Sequence, residues 1–221
     1  MPARETEAVI LRTYPLKEAD KIVSFFSRTF GKARGVARGA RRAKNRYGAT
    51  LEPLSHVRLW CFERETAELL TIDHCELIQS FFDTQKDYAA GVALGYVAEV
   101  TEQLMPDREP NDAFFRLLLL ALDEVRRTGK IWAALTYFDL WAVRLGGFLP
   151  PLDRQRSLSE ESKALAREML AKPLDALEPR AWVKQTAQDL RRFLEQRIEA
   201  HVERRLVTRK MIEGLSDGQT P

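Results

Sequence analysis

The chain has 221 residues, 45% of them hydrophobic and 30% charged, with 35 Lys+Arg against 32 Asp+Glu and a formal net charge of +3. Composition of that kind excludes a disordered chain and leaves a globular protein of one large or two small domains. Two cysteines, Cys61 and Cys75, cannot build a disulfide framework and point to a reducing compartment. The start, MPARETEAVI, lacks the layout of a signal peptide, and the apolar run Leu117–Leu122 is too short to span a bilayer. The expectation is a cytoplasmic protein with no membrane partner.

The first eighty residues read as strands. Residues 7–13 and 22–26 are β-prone runs separated by a turn-like Tyr14–Asp20. Phe30-Gly31-Lys32 is a tight turn into a third strand, Lys32 to Ala40, and residues 57–62 and 69–73 pair as a hairpin around Glu63–Glu68. Five short strands in this length suit a small closed barrel, and both an OB-fold and an SH3-like barrel fit the count.

After Ser80 the spacing becomes helical. Tyr88, Val92, Tyr96, Val100 and Leu104 recur every four residues within a helix from Asp83 to Met105. Asn111 or Asp112 caps a second helix, Ala113 to Arg127, and a third runs from Lys130 to Leu145. Ser157 or Ser159 starts a shorter one reaching about Leu170. The last runs from Pro179 to about Met211, and the tail Gly214–Pro221 frays. The fold class is therefore α+β, with a barrel domain over residues 1–80 and a helical bundle over 81–221.

Charge is unevenly placed. Between Lys21 and Leu51 stand Lys21, Arg28, Lys32, Arg34, Arg38, Arg41, Arg42, Lys44 and Arg46, without one Asp or Glu. On a strand from Lys32 to Ala40 the alternation puts Lys32, Arg34 and Arg38 on one face, with Ala33, Gly35, Ala37 and Gly39 on the other. Many cations along an ordered scaffold suit a polyanion, so nucleic acid is the expected partner. The expected DNA-binding set is Lys21, Lys32, Arg34, Arg38, Arg41, Arg42, Lys44, Arg46 and Tyr47. Tyr47, Trp60 and Phe62 offer stacking surfaces, although core packing is the stronger reading for Trp60 and Phe62.

The segments Glu7-Ala8-Val9-Ile10-Leu11-Arg12-Thr13, Glu18-Ala19-Asp20-Lys21-Ile22-Val23 and Gly31-Lys32-Ala33-Arg34-Gly35-Val36-Ala37-Arg38-Gly39-Ala40-Arg41-Arg42 resemble the RecO family of bacterial recombination mediators. Leu51-Glu52-Pro53-Leu54 and Leu145-Gly146-Gly147-Phe148-Leu149-Pro150 extend the likeness over most of the chain. The resemblance implies an N-terminal OB-fold and a helical C-terminal domain. It also implies binding of single- and double-stranded DNA, annealing of complementary strands, and cooperation with RecR and the single-strand binding protein SSB in loading RecA. A bacterial, nucleoid-associated location follows. Many relatives carry a four-cysteine zinc site after the Gly-Pro stretch, whereas this chain reads Leu152-Asp153-Arg154-Gln155-Arg156-Ser157, so no cofactor is expected.

No catalytic constellation stands out. The chain has no G-x-x-x-x-G-K-[ST] loop and no G-x-S-x-G elbow. Cys61, His74 and Cys75 make at most three metal ligands, and buried strand cysteines are the simpler reading. A non-enzymatic binding protein is expected. RNA-binding in translation or ribosome assembly, and an adaptor docking an acidic protein, remain the alternatives. In the last helix Leu190, Leu194, Ile198, Val202 and Leu206 recur every four residues beside Arg191, Arg192, Arg204 and Arg205. Those four arginines are the candidate dock for the acidic SSB C-terminal tail.

Overall fold

The computed structural model describes residues 3–63 and 68–215. The tip of the hairpin expected at Glu63–Glu68 therefore falls mainly outside the described residues, as does the tail after Leu215. Two compact units are present. One runs through Asp83 and takes in Thr101–Phe115; the other is Thr84–Val100 with the chain from Arg116 onward.

The first unit is built on five strands, β1 (Arg4–Leu16), β2 (Asp20–Ser27), β3 (Gly31–Ala37), β4 (His56–Phe62) and β5 (Leu70–Gln79). They close as a barrel in the order β1-β2-β3-β5-β4, with β4 pairing back onto β1. Every pairing is antiparallel except β3 with β5, which join in parallel at Gly35↔Leu70, Val36↔Thr71 and Ala37↔Ile72. This is an OB-fold, so the choice left open by strand count is resolved. Alternation sends Ala8, Ile10, Val23, Phe25, Leu59 and Ile72 into the interior. At the parallel seam a Cβ on Gly35 would stand 2.8 Å from Ile72 Cγ1, so the missing side chain lets the two strands approach.

Two strand limits differ from expectation. β1 continues through Tyr14 to Leu16, and the chain turns only at Lys17, whose φ is 52°. β3 ends at Ala37, not Ala40. Gly39 turns there with φ 71°, its N–H donating to Asp20 Oδ1 at 2.8 Å. The Arg41 N–H then donates to the Ala19 carbonyl at 2.9 Å. The basic run thus leaves the sheet and is tied down beside the β1–β2 turn.

Helix α1 (Tyr88–Leu104) and helix α2 (Asp112–Thr128) each contribute one end to the first unit. Asn111 caps α2, its side-chain oxygen accepting from the Phe114 N–H at 2.9 Å. Phe114 and Phe115 receive the Phe26 ring at centroid distances of 5.8 and 6.1 Å. Between the helices, the Arg108 N–H donates to the Lys32 carbonyl at 2.8 Å, and Asp107 forms a parallel bridge with Lys32. The segment 105–110 is therefore a strap along the start of β3.

In the second unit α3 (Ile131–Leu145) is buried almost all round, as its apolar sequence predicts. It packs against α5 (Gln188–His201) and α4 (Glu160–Ala171), which Ser159 caps. The single helix expected from Pro179 to Met211 is instead an irregular stretch, α5 and then α6 (Val207–Gly214). Glu203 breaks the run with φ 52°. Glu99 of α1 then accepts from the N–H groups of Val207 and Thr208 at 2.9 and 2.8 Å, capping α6 from another helix.

Candidate nucleic-acid interface

The pleat of β3 separates charge from core as the sequence predicts. Ala33, Gly35 and Ala37 are buried, while Arg34 is exposed and Val36 half-buried on the outer face. Arg38, Arg41, Arg42, Lys44 and Arg46 follow on the exposed connection. No carboxylate partners Arg34, Arg38, Arg42 or Lys44 among the described residues. Arg41 Nη1 donates to the Lys17 carbonyl at 2.8 Å, which holds the guanidinium at the β1–β2 turn without neutralising it. Uncompensated, solvated cations at the mouth of an OB barrel are free to meet phosphates.

Other expected members are already engaged. Lys32 Nζ lies 3.1 Å from Asp107 Oδ1 and donates to the Glu102 carbonyl at 2.9 Å, with a side chain only 17% exposed. It anchors the strap. Lys21 lies on the inward phase of β2, opposite Ala37, and reaches out of the barrel mouth to Glu52 at 3.4 Å. Arg46 lies 3.5 Å from Asp73 and stacks on Tyr47, 5.1 Å from its ring centre.

Tyr47 corrects the expectation most clearly. It is 2% exposed, and its hydroxyl donates to the Ile72 carbonyl at 2.9 Å while accepting from Arg46 Nη2 at 3.0 Å. Burial, the largest influence, pushes the phenol upward, so it stays protonated. Tyr47 is a plug of the barrel and offers no face to a base.

Trp60 and Phe62 deviate in the opposite direction. Both point outward and are half-buried, while Leu59 and Cys61 fill the interior. His74 lies tilted on Trp60 at 5.0 Å. Sequence reasoning also missed Arg12. It stands on the outer face of β1 opposite Ser24, which in turn opposes Arg34, and it pairs with Glu102 at 2.5 Å. Simple alternation from Ala8 and Ile10 would turn Arg12 inward; the irregularity between Ile10 and Arg12 shifts the register and puts it on the outer face.

His74 and Cys75, neighbours on β5, face opposite sides, which removes the three-ligand group. Burial drives the Cys61 thiol up to about 12 and the Cys75 thiol to about 11, far from the thiolate that metal binding needs. Among the described residues no group of three His, Cys, Asp or Glu could hold a metal ion.

In the helical unit the four arginines expected to meet a partner divide. Arg191 is 4% exposed; it donates to the carbonyls of Thr186 and Lys184 and lies 4.7 Å over the Trp132 ring. It is part of the interior. Arg192 is exposed at a cavity of about 430 Å³ lined also by Trp132, Lys184, Gln188 and Ile212. Arg204 and Arg205 are exposed between α5 and α6, and Arg205 borders a separate depression with Arg209 and Lys210. The spacing of four placed all of them along one helix; the break at Glu203 spreads them over two sites.

Comparison with known proteins agrees with this architecture. The family model "Recombination protein O N terminal" matches residues 1–81, and "Recombination protein O C terminal" matches residues 85–156. The chain is 42% identical to the DNA repair protein RecO of Koribacter versatilis (strain Ellin345), over 96% of this chain and 99% of that one. It is 33% identical to the protein of the same name from Anaeromyxobacter dehalogenans (strain 2CP-1 / ATCC BAA-258), over 69% of this chain and 60% of that one. No helix among the described residues is long and apolar enough to cross a membrane. With an OB barrel, a following set of helices and a near full-length relative at this identity, the chain belongs to the RecO family of DNA repair proteins.

Proposed function

We propose that this protein is a recombination mediator that holds single- and double-stranded DNA by its phosphates and anneals complementary strands. The observation that carries the reading is the set Arg34, Arg38, Arg42 and Lys44, exposed on and after β3 with no carboxylate partner among the described residues. Such contacts position a strand without reading its sequence, and they lower the repulsion between two incoming strands. Annealing then needs no covalent step. With about five contacts, log affinity for a single strand falls against log salt with a slope of roughly −3.5.

Fluorescence anisotropy of a labelled single strand across a salt series tests this. Arg34→Ala/Arg38→Ala/Arg42→Ala/Lys44→Ala is expected to flatten the slope by about 2 to 3. Tyr47→Phe, which removes an interior hydroxyl, keeps the wild-type slope while losing about 1–2 kcal/mol of stability. An unchanged slope in the quadruple variant would move DNA off this face. A matched RNA strand that competes more strongly than DNA would favour a role on RNA.

The mediator reading includes RecR, the SSB C-terminal tail and, indirectly, the RecA filament. Of the four arginines, Arg192, Arg204 and Arg205 have the exposure an acidic tail requires. An acidic peptide ending in a hydrophobic residue is expected to bind in the micromolar range, more weakly in salt. Arg204→Glu/Arg205→Glu is expected to cut its affinity about tenfold, the loss of roughly two charge-assisted contacts at an exposed site. Wild-type affinity in that variant would leave the cavity at Arg192 as the dock.

A further inference from the structure

The connection from β3 to β4 carries Arg38, Arg41, Arg42, Lys44 and Arg46, five cations within nine residues. Of these only Arg46 has a carboxylate partner among the described residues, Asp73 at 3.5 Å. Like charges this close in sequence repel one another, which favours an expanded connection. Ion pairs therefore cannot supply its order. Hydrogen bonds from uncharged groups must do so.

Those bonds converge on one side chain. Asn45, half-buried between the exposed Lys44 and Arg46, grips the chain on both sides of itself. Its Nδ2 donates to the Arg42 carbonyl at 3.0 Å. Its Oδ1 accepts from the N–H groups of Tyr47 at 3.0 Å and Gly48 at 2.9 Å. A carboxylate there would have no proton for the Arg42 carbonyl, and a cation would have no lone pair for the two N–H groups. Tyr47 is in turn anchored in the barrel interior by its hydroxyl at the Ile72 carbonyl. Asn45 thus ties the exposed turn at Arg42 to a residue that cannot shift without disturbing the core.

The other end of the connection is held separately, by Asp20 at the Gly39 N–H. Between the two anchors stand Arg41, Arg42 and Lys44, all exposed. A linker that only joined two strands would have no use for crowded cations. A flexible basic tether would have no use for the clamp.

We propose that Asn45 is a positioning residue of the DNA interface, fixing the connection so that Arg38, Arg42 and Lys44 meet phosphates without first being ordered. The proposal rests on the DNA-binding reading and adds that its phosphate track is preorganised. Freedom already given up on folding is not lost again on binding. The signature is specific. Removing a cation removes a phosphate contact and lowers the salt slope, whereas removing the clamp leaves every charge in place and lowers affinity equally at all salt concentrations.

Fluorescence anisotropy of a labelled single strand and a duplex across a salt series tests this, with Asn45→Ala and Asn45→Ser beside wild type. Asn45→Ala is expected to keep the wild-type slope and to bind both ligands about tenfold more weakly, the effect of ordering about one residue at each binding event. Asn45→Ser retains a short acceptor for the downstream N–H groups and is expected to lose only about threefold. Tryptic cleavage after Arg42 and Lys44 is expected to quicken in Asn45→Ala, while its unfolding midpoint stays near that of wild type. Wild-type affinity in Asn45→Ala overturns the proposal and leaves the phosphate track standing. A flattened slope in Asn45→Ala overturns it as well, since contacts would then be lost outright. Wild-type protein that holds no DNA removes the underlying reading, and the positioning role with it.

Discussion

Gly31→Ala is expected to destabilise the barrel unit by about 3 kcal/mol, as strain and overlap act together. Gly31 opens β3 with φ 63°, a conformation that costs an L-residue about 1 kcal/mol. Space is the larger difficulty. A Cβ built there would stand 2.1 Å from the Glu109 carbonyl oxygen and 2.8 Å from the Glu109 nitrogen. Those atoms are backbone and cannot rotate away, and the strap that carries them is pinned to Lys32 by a backbone hydrogen bond and an ion pair. Gly48→Ala separates the two contributions. Gly48 also has positive φ, 55°, but nothing lies within 4 Å of its Cβ position, so it should lose only about 1 kcal/mol. Unfolding midpoints of the two variants give the comparison, and equal losses would mean that the strap yields to the added methyl.

The legible part of this fold is local. Alternation on β3 predicts which residues of Lys32–Arg38 face outward, because a period of two depends on backbone geometry alone. Apolar spacing likewise marks α1 to α4; Val92, Tyr96, Val100 and Leu104 are buried as the four-residue recurrence implies, while Tyr88, which opens it, is 59% exposed. What alternation cannot supply is the partner of each outward cation. Lys32 and Arg34 are equivalent in pattern, yet Lys32 meets Asp107 from seventy-five positions down the chain while Arg34 has no such neighbour among the described residues. Tyr47 looks like a stacking residue at the end of a basic loop until the Ile72 carbonyl on β5 is brought to its hydroxyl.

The last helix shows the same limit from the other side. Leu190, Leu194, Ile198, Val202 and Leu206 keep a helical period through Glu203, where the chain turns to a positive φ. The reward for that turn comes from Glu99, which caps α6 from α1. Neither residue signals the break by its own propensity. Arginines expected to flank one continuous helix therefore end up in different environments, and of the four only Arg192, Arg204 and Arg205 keep the exposure that a partner site needs.

Glu195→Gln is expected to stabilise the helical unit at pH 8 by about 1–3 kcal/mol and to change it little at pH 4.5. Glu195 is 5% exposed on α5, within 3.2 Å of Arg209 Nε. Burial is the largest influence and raises its carboxyl from 4.5 to about 7; Arg209 opposes this, and Glu213 adds to it. In the fold the proton is therefore held more tightly than in the unfolded chain. The corresponding stability is fully present below about pH 4.5 and is lost as pH rises through about 7. Glutamine keeps nearly the same shape without a charge to desolvate at any pH. Arg209 is not orphaned by the change, because Glu199 lies at 2.5 Å and Glu213 at 3.1 Å. Thermal unfolding of both proteins at the two pH values measures the difference. A variant less stable than wild type at pH 8 would mean that the ion pair to Arg209 outweighs the cost of burying the charge.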